Sequence, residues 1–431
     1  MSPASDRGAD AANRVAKARA VPTGKLRPMR ALLEQSFRAA VAAADPLHIL
    51  PAHLPAPPRG RTFVAAAGKA AASMALAVEQ HWPHAARLDG LAITRYGHGL
   101  PTQRIRVIEA GHPVPDAAGE GAARALLAEV RKLGPDDLLL ALVSGGGSSL
   151  LSLPAPGVPI EGLKAMTREL LRCGAPIQEM NTVRKHLSAI QGGRLAAACR
   201  APVLALVISD VTGDDPTHIA SGPCAPDPTT IADAQAVLHK YGIAPPGPLS
   251  ETPKPGDALF ARVQNRVIAT ARRSLEAAAA VFAARGIAPV VLGDDITGEA
   301  REVAKAMAAQ ARAARGPTVL ISGGECTVTV RGAGGRGGRC GEFLLALAVA
   351  LEGVPNVHAI AADTDGIDGS EDNAGAVISP DTLERARARS IDARALLDAN
   401  DSYAFFGALG DLVVTGPTRT NVNDYRAILV G

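Results

Sequence analysis

The sequence predicts an α/β fold built from βαβ units on a parallel sheet. Three observations carry this. Apolar runs such as 138–143 and 203–208 show no polar alternation, the pattern of strands buried on both faces. They alternate with helical stretches such as 116–132 and 272–285. A chain of 431 residues, 47% of them hydrophobic, also exceeds one ordinary core and points to about two or three domains.

Taken in order, residues 30–44 put Leu32, Leu33, Ser36, Phe37, Ala40 and Val41 on one helical stripe, so the fold proper starts there. Residues 1–27 read as a disordered tail, without the apolar run of a secretory signal. A proline-rich connector, 45–61, leads to a strand at 63–67, then Gly68-Lys69 and an alanine-rich helix. Strands follow at 91–94 and 105–108, a helix at 116–132 and a strand at 138–143. Helices at 160–173 and 182–199, the second interrupted by Gly192-Gly193, precede the strand 203–208. The proline- and glycine-rich stretch 241–257 marks a boundary. It divides the chain into a first domain, 28–245, a linker, 246–265, and a second domain, 266–431. Beyond it, strands are expected at 267–270, 290–292, 318–322, 327–330, 357–361 and 412–415, with helices at 272–285, 299–315 and 341–351.

Composition excludes several classes. A net charge of +3 with 3% aromatic residues fits neither a nucleic-acid binder nor a base-stacking platform. No apolar run approaches the ~18 residues of a membrane span. Five cysteines, an odd number without a C-x-x-C pair, fit a reducing cytoplasm and no disulfide framework.

Polar chemistry concentrates in loops that follow strands, where open α/β sheets bind ligands. Strand 138–143 runs into Ser144, Gly145, Gly146, Gly147, Ser148 and Ser149. The glycines let backbone N–H groups turn toward one point and the hydroxyls add donors, a cradle for an anion and most simply a phosphate. Lys69 stands at a helix start, the end of the dipole that favours anions. Asp210, Asp214 and Asp215 follow strand 203–208, and such carboxylates hold Mg²⁺ or accept a proton from a substrate hydroxyl; Asp214 and Asp215 fit equally a capping cluster for the next segment, which Asp210, tight against the strand end, fits less well. Arg336 and Arg339 lie in a glycine-rich loop before a helix, where guanidinium groups neutralise spread-out oxygen charge. The DTDGIDG loop brings Asp363 and Asp365; its glycine falls too early for an EF-hand, and no glutamate stands at the twelfth position. His112, in EAGHPVPD, follows a strand and fits equally a contact to substrate or a satisfied loop histidine. No standard P-loop or G-x-S-x-G elbow is present. Gly332, Gly334 and Gly337 spell G-x-G-x-x-G but lack the acidic residue a dinucleotide site requires. A glycine cradle, cationic loops and carboxylates, all at strand ends, are the parts of phosphoryl transfer, a reaction made of positioning and charge neutralisation.

SGGGSSLL, MNTVRKHLSAIQGGRLA, ISDVTGDDPTHIASGPCAPDPTT, SGGECTVTVRG, GGRGG, DTDGIDG and GDLVVTGPTRTNVND together resemble the type-2 glycerate kinases. These are glycerate 2-kinases with a C-terminal MOFRL domain, many of them named as hydroxypyruvate reductases. The likeness runs from about Met29 to the end of the chain. It implies two α/β domains, each with a mostly parallel, Rossmann-like sheet, and an active site in the cleft between them. It implies ATP- and Mg²⁺-dependent phosphorylation of D-glycerate at its 2-hydroxyl, by a cytoplasmic monomer or small homo-oligomer without nucleic-acid or membrane partners. Carried over by position, the essential lysine matches Lys69, the aspartate of the SD-V-GD motif matches Asp210, and the arginine of GRGGR matches Arg339. Asp210 would orient or deprotonate the 2-hydroxyl or hold the metal. Asp363 or Asp365, with Asn421 and Asn423, match the remaining polar loops. Where relatives read Asn-Gln after GRGGR, this chain has Cys340-Gly341. A thiol there, beside Arg339 at a helix N-terminus, is expected to have a depressed pKa. Lys69→Met is expected to reduce turnover and leave the thermal midpoint unchanged. The alternative activity is an NAD(P)H-dependent hydroxypyruvate reductase.

Overall fold

The computed structural model describes residues 23–331 and 334–431. Two six-stranded sheets organise the chain. The first contains β1 (Thr62–Ala67), β2 (Leu88–Arg95), β3 (Ile105–Ala110), β4 (Leu138–Val143), β5 (Val203–Ile208) and β6 (Val263–Ala269). It runs in the order β3-β2-β1-β4-β5-β6, with every neighbouring pair parallel. β1, β4 and β5 are buried along their whole length, as unbroken apolar runs demand. One face packs Ala123, Leu126 and Val130 of the helix Ala117–Val130. The other packs Met74, Ala75 and Val78 of the helix Ala71–His81. With so few aromatic residues, alanine lets helices lie close against the strands, and the core gains from close packing rather than from large side chains.

The second sheet contains β7 (Ala288–Gly293), β9 (Thr318–Ser322), β11 (Val357–Asp363), β12 (Gly375–Ile378), β13 (Leu412–Val413) and β14 (Asp424–Val430). β8 (Gly298–Glu299) and β10 (Cys326–Thr327) form a separate two-stranded ribbon. The second sheet's order is β13-β12-β11-β14-β9-β7, and only β7–β9 is parallel. The expectation of a mostly parallel second sheet is therefore corrected. β11 is joined to β12 by the loop 364–374, and β14 follows another loop, 414–423, neither with the crossover helix that a parallel neighbour uses. β12 and β14 were not expected as strands at all. β14 carries Arg426 among apolar residues, and the fold accommodates it by burying the guanidinium on Asp424 (3.0 Å) and on the carbonyls of Gly323 and Gly324 (both 2.9 Å).

The expected boundaries shift as well. The first helix spans Thr23–Ala42, starting inside the segment assigned to a tail; residues 1–22 lie outside the described ones. Its Leu33 and Phe37 pack with Phe282 of the helix Ala271–Ala283 and with Tyr425 of β14, and the Tyr425 hydroxyl donates to Ser36 at 2.8 Å. Conversely the strand expected at 267–270 in the second domain is β6, which starts at Val263 and is the edge strand of the first sheet, paired with β5. Burial decides both placements, because each element covers apolar surface that the expected division would leave bare.

Candidate active site

The strand order of the first sheet reverses between β1 and β4, and the loops leaving these strands meet there. The Lys69 N–H donates to the Gly145 carbonyl at 2.8 Å, and the Ser144 N–H to the Ala67 carbonyl at 3.1 Å. Ser144 accepts the Ala70 N–H on its hydroxyl at 3.1 Å and is buried, so it joins the two loops rather than facing a ligand. A Cβ on Gly145 would overlap the Asp210 carboxylate and the Asn421 amide, so only glycine lets that carboxylate approach the loop. Gly146 is left-handed, with φ +79°, and a Cβ there would stand 2.9 Å from His112 Nε2 and 3.3 Å from Lys69 Cγ. The N–H groups of Gly145 and Gly146 meet no acceptor among the described residues. Gly147 opens the short helix Gly147–Leu150, in which Ser149 donates to the Gly146 carbonyl at 3.1 Å. Ser221 donates to Asn181 Oδ1 at 3.1 Å, so the 2.8 Å contact between Ser148 and Ser221 uses the Ser148 proton. Ser148 thus has no proton left for an anion.

Loops of the second sheet close over this point. The Lys69 ammonium donates to Asp365 Oδ2 at 2.6 Å, with both side chains buried and Arg95 a further 3.8 Å from the same oxygen. Burial alone would lower the Lys69 pKa; Asp365 and Asp363 outweigh it and hold the ammonium above its ordinary value. Asp210, beyond the end of β5, accepts the Asn421 amide at 3.0 Å. Desolvation raises its pKa, with Lys69 opposing. Asn421 Oδ1 and Asn423 Oδ1 are buried without a partner. Asn423 is held otherwise by its carbonyl, which accepts the Thr364 hydroxyl at 2.6 Å.

Arg339 is the first residue of the helix Arg339–Leu351. Its Nε donates to both oxygens of Asp424 (2.8 and 3.0 Å), and one Nη to Glu325 (2.7 Å) and Asp363 (2.8 Å). Burial and the neighbouring Asp365 raise the Asp363 pKa. Glu325 keeps 45% of its side-chain surface, yet protein atoms crowd it on the cleft wall. That desolvation, with Asp424 and Asp363 nearby, pushes its carboxyl up to about 7 in spite of Arg339. Neither Glu325 nor Asp424 was singled out from sequence. The signal for Glu325 was available in SGGE after a strand, the pattern that singled out SGGGSS. Asp424 closes the TNVND motif and is read only once β14 is known to start there.

The thiol expectation is overturned. Cys340 is fully buried, and burial together with Asp424, Asp368 and Asp363 holds its pKa well above the ordinary value. The helix N-terminus does not activate it, because Asp368 already occupies that position. Asp368 accepts the N–H groups of Cys340 (2.9 Å) and Gly341 (2.7 Å), and burial pushes its own carboxyl up to about 7.

His112 lies against Gly146 near Lys69; burial, then Lys69 and Arg95, draw its pKa to about 3, so it is neutral. His98, 1% exposed, has no partner on either ring nitrogen and is likewise held at about 4 by burial and Arg95. Three predicted residues, Arg336, Asp214 and Asp215, stand apart from this hydrogen-bonded cluster. Arg336 is exposed, with its guanidinium 5.0 Å over the Tyr403 ring. Asp214 sits in a turn at φ +55°, and its neighbour Asp215 caps Thr217 at 2.9 Å. A cavity of about 310 Å³ begins at Arg339 and is lined by Cys326, Val328, Val330 and Gly335. No group of three or more His, Cys, Asp or Glu among the described residues is arranged to hold a metal ion, and no described helix is long and apolar enough to cross a membrane.

Two family profiles match the chain: a domain of unknown function (DUF4147) over residues 32–251 and the MOFRL family over residues 318–424. The chain is 38% identical to the glycerate 2-kinase of Pyrococcus horikoshii over 395 residues, covering 86% of this chain and 88% of that one. It is 52% identical over 418 residues to an Agrobacterium vitis protein provisionally named hydroxypyruvate reductase, covering 93% and 94%. The crystal structure of a glycerate kinase from Thermotoga maritima is similar with a TM-score of 0.83 at 37% identity, covering 94% of this chain and all of that chain.

Proposed function

The chain belongs to the glycerate 2-kinase family with a C-terminal MOFRL region, and from that premise we propose that its cleft transfers the γ-phosphoryl group of ATP to the 2-hydroxyl of D-glycerate, giving 2-phosphoglycerate and ADP. The observation that carries this reading is the meeting of Lys69, Asp210 and the free N–H groups of Gly145 and Gly146 at the point where the strand order reverses. The transferring phosphoryl group spreads charge over its equatorial oxygens, and cations fixed beforehand stabilise that charge without reorganising. Lys69 is fixed by Asp365, and Arg339 by three carboxylates, so both are already in position. The glycine N–H groups bind phosphate oxygens. Asp210 has one oxygen beyond its bond to Asn421, and that oxygen orients the 2-hydroxyl and takes its proton as the O–P bond forms. Desolvation makes Asp210 a stronger acceptor than a solvated carboxylate. The cavity at Arg339 has the size and the valine lining for a nucleoside.

Mg²⁺ binds through one or two protein oxygens plus substrate phosphates. The residues present fit that pattern. Asn421 Oδ1 is buried without a donor, next to Asp210, while Asp363, Asp365, Asp424 and Glu325 are committed to cations. Asn421 Oδ1 and the Asp210 oxygen on the Asn421 side would hold the ion, leaving the other Asp210 oxygen for the substrate hydroxyl; the ion supplies charge neutralisation on the nucleotide phosphates. The free cysteines agree with a cytoplasmic enzyme.

The reductase reading meets a specific obstacle. The first sheet has the strand order of a dinucleotide-binding fold, but its first βα turn reads Gly68-Lys69-Ala70-Ala71 in place of G-x-G-x-x-G, and β2 ends in Arg95 rather than an acidic residue. Gly332, the first glycine of the only G-x-G-x-x-G, lies outside the described residues, and that run follows no strand of either main sheet. Incubating the protein with D-glycerate and ATP, and separately with hydroxypyruvate and NADH, tests the assignment. ADP forms in the first mixture and NADH persists in the second; NADH oxidation without ADP formation would overturn the kinase reading.

A further inference from the structure

A second cationic pocket lies beside the glycine loop and plays no part in the cluster around Lys69. It is a cavity of about 20 Å³, lined by Ser148 and Ser149 of that loop and by Pro113, which follows His112. The helices Ile160–Arg172 and Ile177–His186 contribute Lys164 and Arg184. A space of this size holds about one or two water oxygens, or the oxygens of one small oxyanion.

Arg184 is the unusual member. The buried cations Lys69, Lys185, Arg301 and Arg426 each meet a carboxylate, at 2.6, 2.8, 2.6 and 3.0 Å. Arg184 meets none among the described residues. One Nη donates to Asn181 Oδ1 at 2.5 Å, and its Nε is buried without an acceptor. Burial alone draws its pKa down to about 10, so it stays charged at neutral pH. A desolvated charge with an unmet donor is costly unless something outside the chain completes it. The surroundings are rigid: Asn181 accepts from both Arg184 and Ser221, and the next residue, Lys185, is pinned by its buried pair with Asp227. Lys164, 16% exposed in its side chain, adds a second ammonium whose partner Glu161 faces solvent.

We propose that Arg184, seconded by Lys164, is the oxyanion subsite of this kinase and binds either the carboxylate of glycerate or a phosphate of ATP. Both groups suit the planar fork of a guanidinium, and both belong to the substrates of the transfer on which this inference rests. The pocket shares the loop 145–149 with the phosphoryl-transfer cluster, so an anion anchored here is held close to the reacting groups.

Calorimetric titration of the full chain with D-glycerate, and separately with ATP, reads the subsite without needing turnover. Arg184→Met weakens one of the two ligands at least ~30-fold and leaves the other within twofold. Loss of glycerate binding assigns the carboxylate, and loss of ATP binding the phosphate. Two unchanged affinities, or two equally weakened ones with a lower thermal midpoint, would overturn the subsite and leave Arg184 a packing residue. If Arg184→Met does not fold, Arg184→Lys keeps the charge but not the fork. It produces the same one-sided loss on a smaller scale, and its absence is equally decisive. Wild-type turnover of D-glycerate and ATP, measured in parallel, separates failure of the subsite from failure of the kinase reading.

Discussion

Lys69 is where the geometry most changes what a substitution should do. From sequence, Lys69→Met removes a charge from an otherwise intact fold. In the structure the ammonium is the partner of a buried carboxylate, and breaking such a pair from one side costs about 3–5 kcal/mol. Lys69→Met should therefore lower kcat by about a hundredfold to a thousandfold and also lower the thermal midpoint. The double variant Lys69→Met/Asp365→Asn should recover the midpoint without recovering kcat; a midpoint unaffected by Lys69→Met would mean the pair opens in solution. Lys69, Asp210 and Arg339 were legible because each stands at a strand end or helix start. Glu325 carried the same signal, SGGE after a strand, but was passed over; Asp424 was not legible because its role depends on Arg339, 85 residues away, nor was Arg184, because the pocket it lines is completed by the loop 145–149. The reactivity of Cys340 was misjudged for the same reason: its helix end is filled by Asp368, which lies beyond the next strand. Alkylation of the native protein followed by peptide mass analysis should label the exposed Cys173 and spare the buried Cys199, Cys224, Cys326 and Cys340. Rapid native labelling of Cys340 would show that this helix end opens.

The element that most depends on one side chain is the helix Arg339–Leu351. It begins without a side-chain cap from its own flanking residue Gly338, and Asp368 supplies the missing acceptor from the loop after β11. This cap aligns Arg339 with Asp363, Asp424 and Glu325. Asp368→Ala leaves two buried N–H groups unmet, a loss of about 1–3 kcal/mol. It should also lower kcat by about tenfold to a hundredfold through displacement of Arg339. Calorimetric unfolding and steady-state kinetics check the two effects, and a stable variant with normal kcat would remove Asp368 from the account. Helices and buried strands of the first sheet were readable because apolar runs and turn residues are local signals. The second sheet was not, since pairing direction depends on connections whose loops carry no periodicity, and β14 hides a buried arginine within its apolar pattern.

Across the whole molecule, the two sheets are stitched together at the site itself. Lys69 and Asp210 belong to loops of the first sheet, and Asp365 and Asn421 to loops of the second. Nearby, Ser73 donates to the Arg419 carbonyl at 2.5 Å and Thr420 to the Ala44 carbonyl at 2.7 Å. The contacts that close the cleft are thus made largely by the groups that would perform the transfer. Two separate sheets were foreseeable from chain length and the proline-rich connector, whereas the exchange of the first helix and β6 across the expected boundary was not. Nothing local in a helix or an edge strand says which of two sheets it will cover. Phosphorus NMR of the product formed from D-glycerate and ATP checks whether the cleft sends the phosphoryl group to the hydroxyl next to the carboxylate: the 2-phosphoglycerate resonance should appear alongside ADP, and exclusive formation of 3-phosphoglycerate would rule this assignment out.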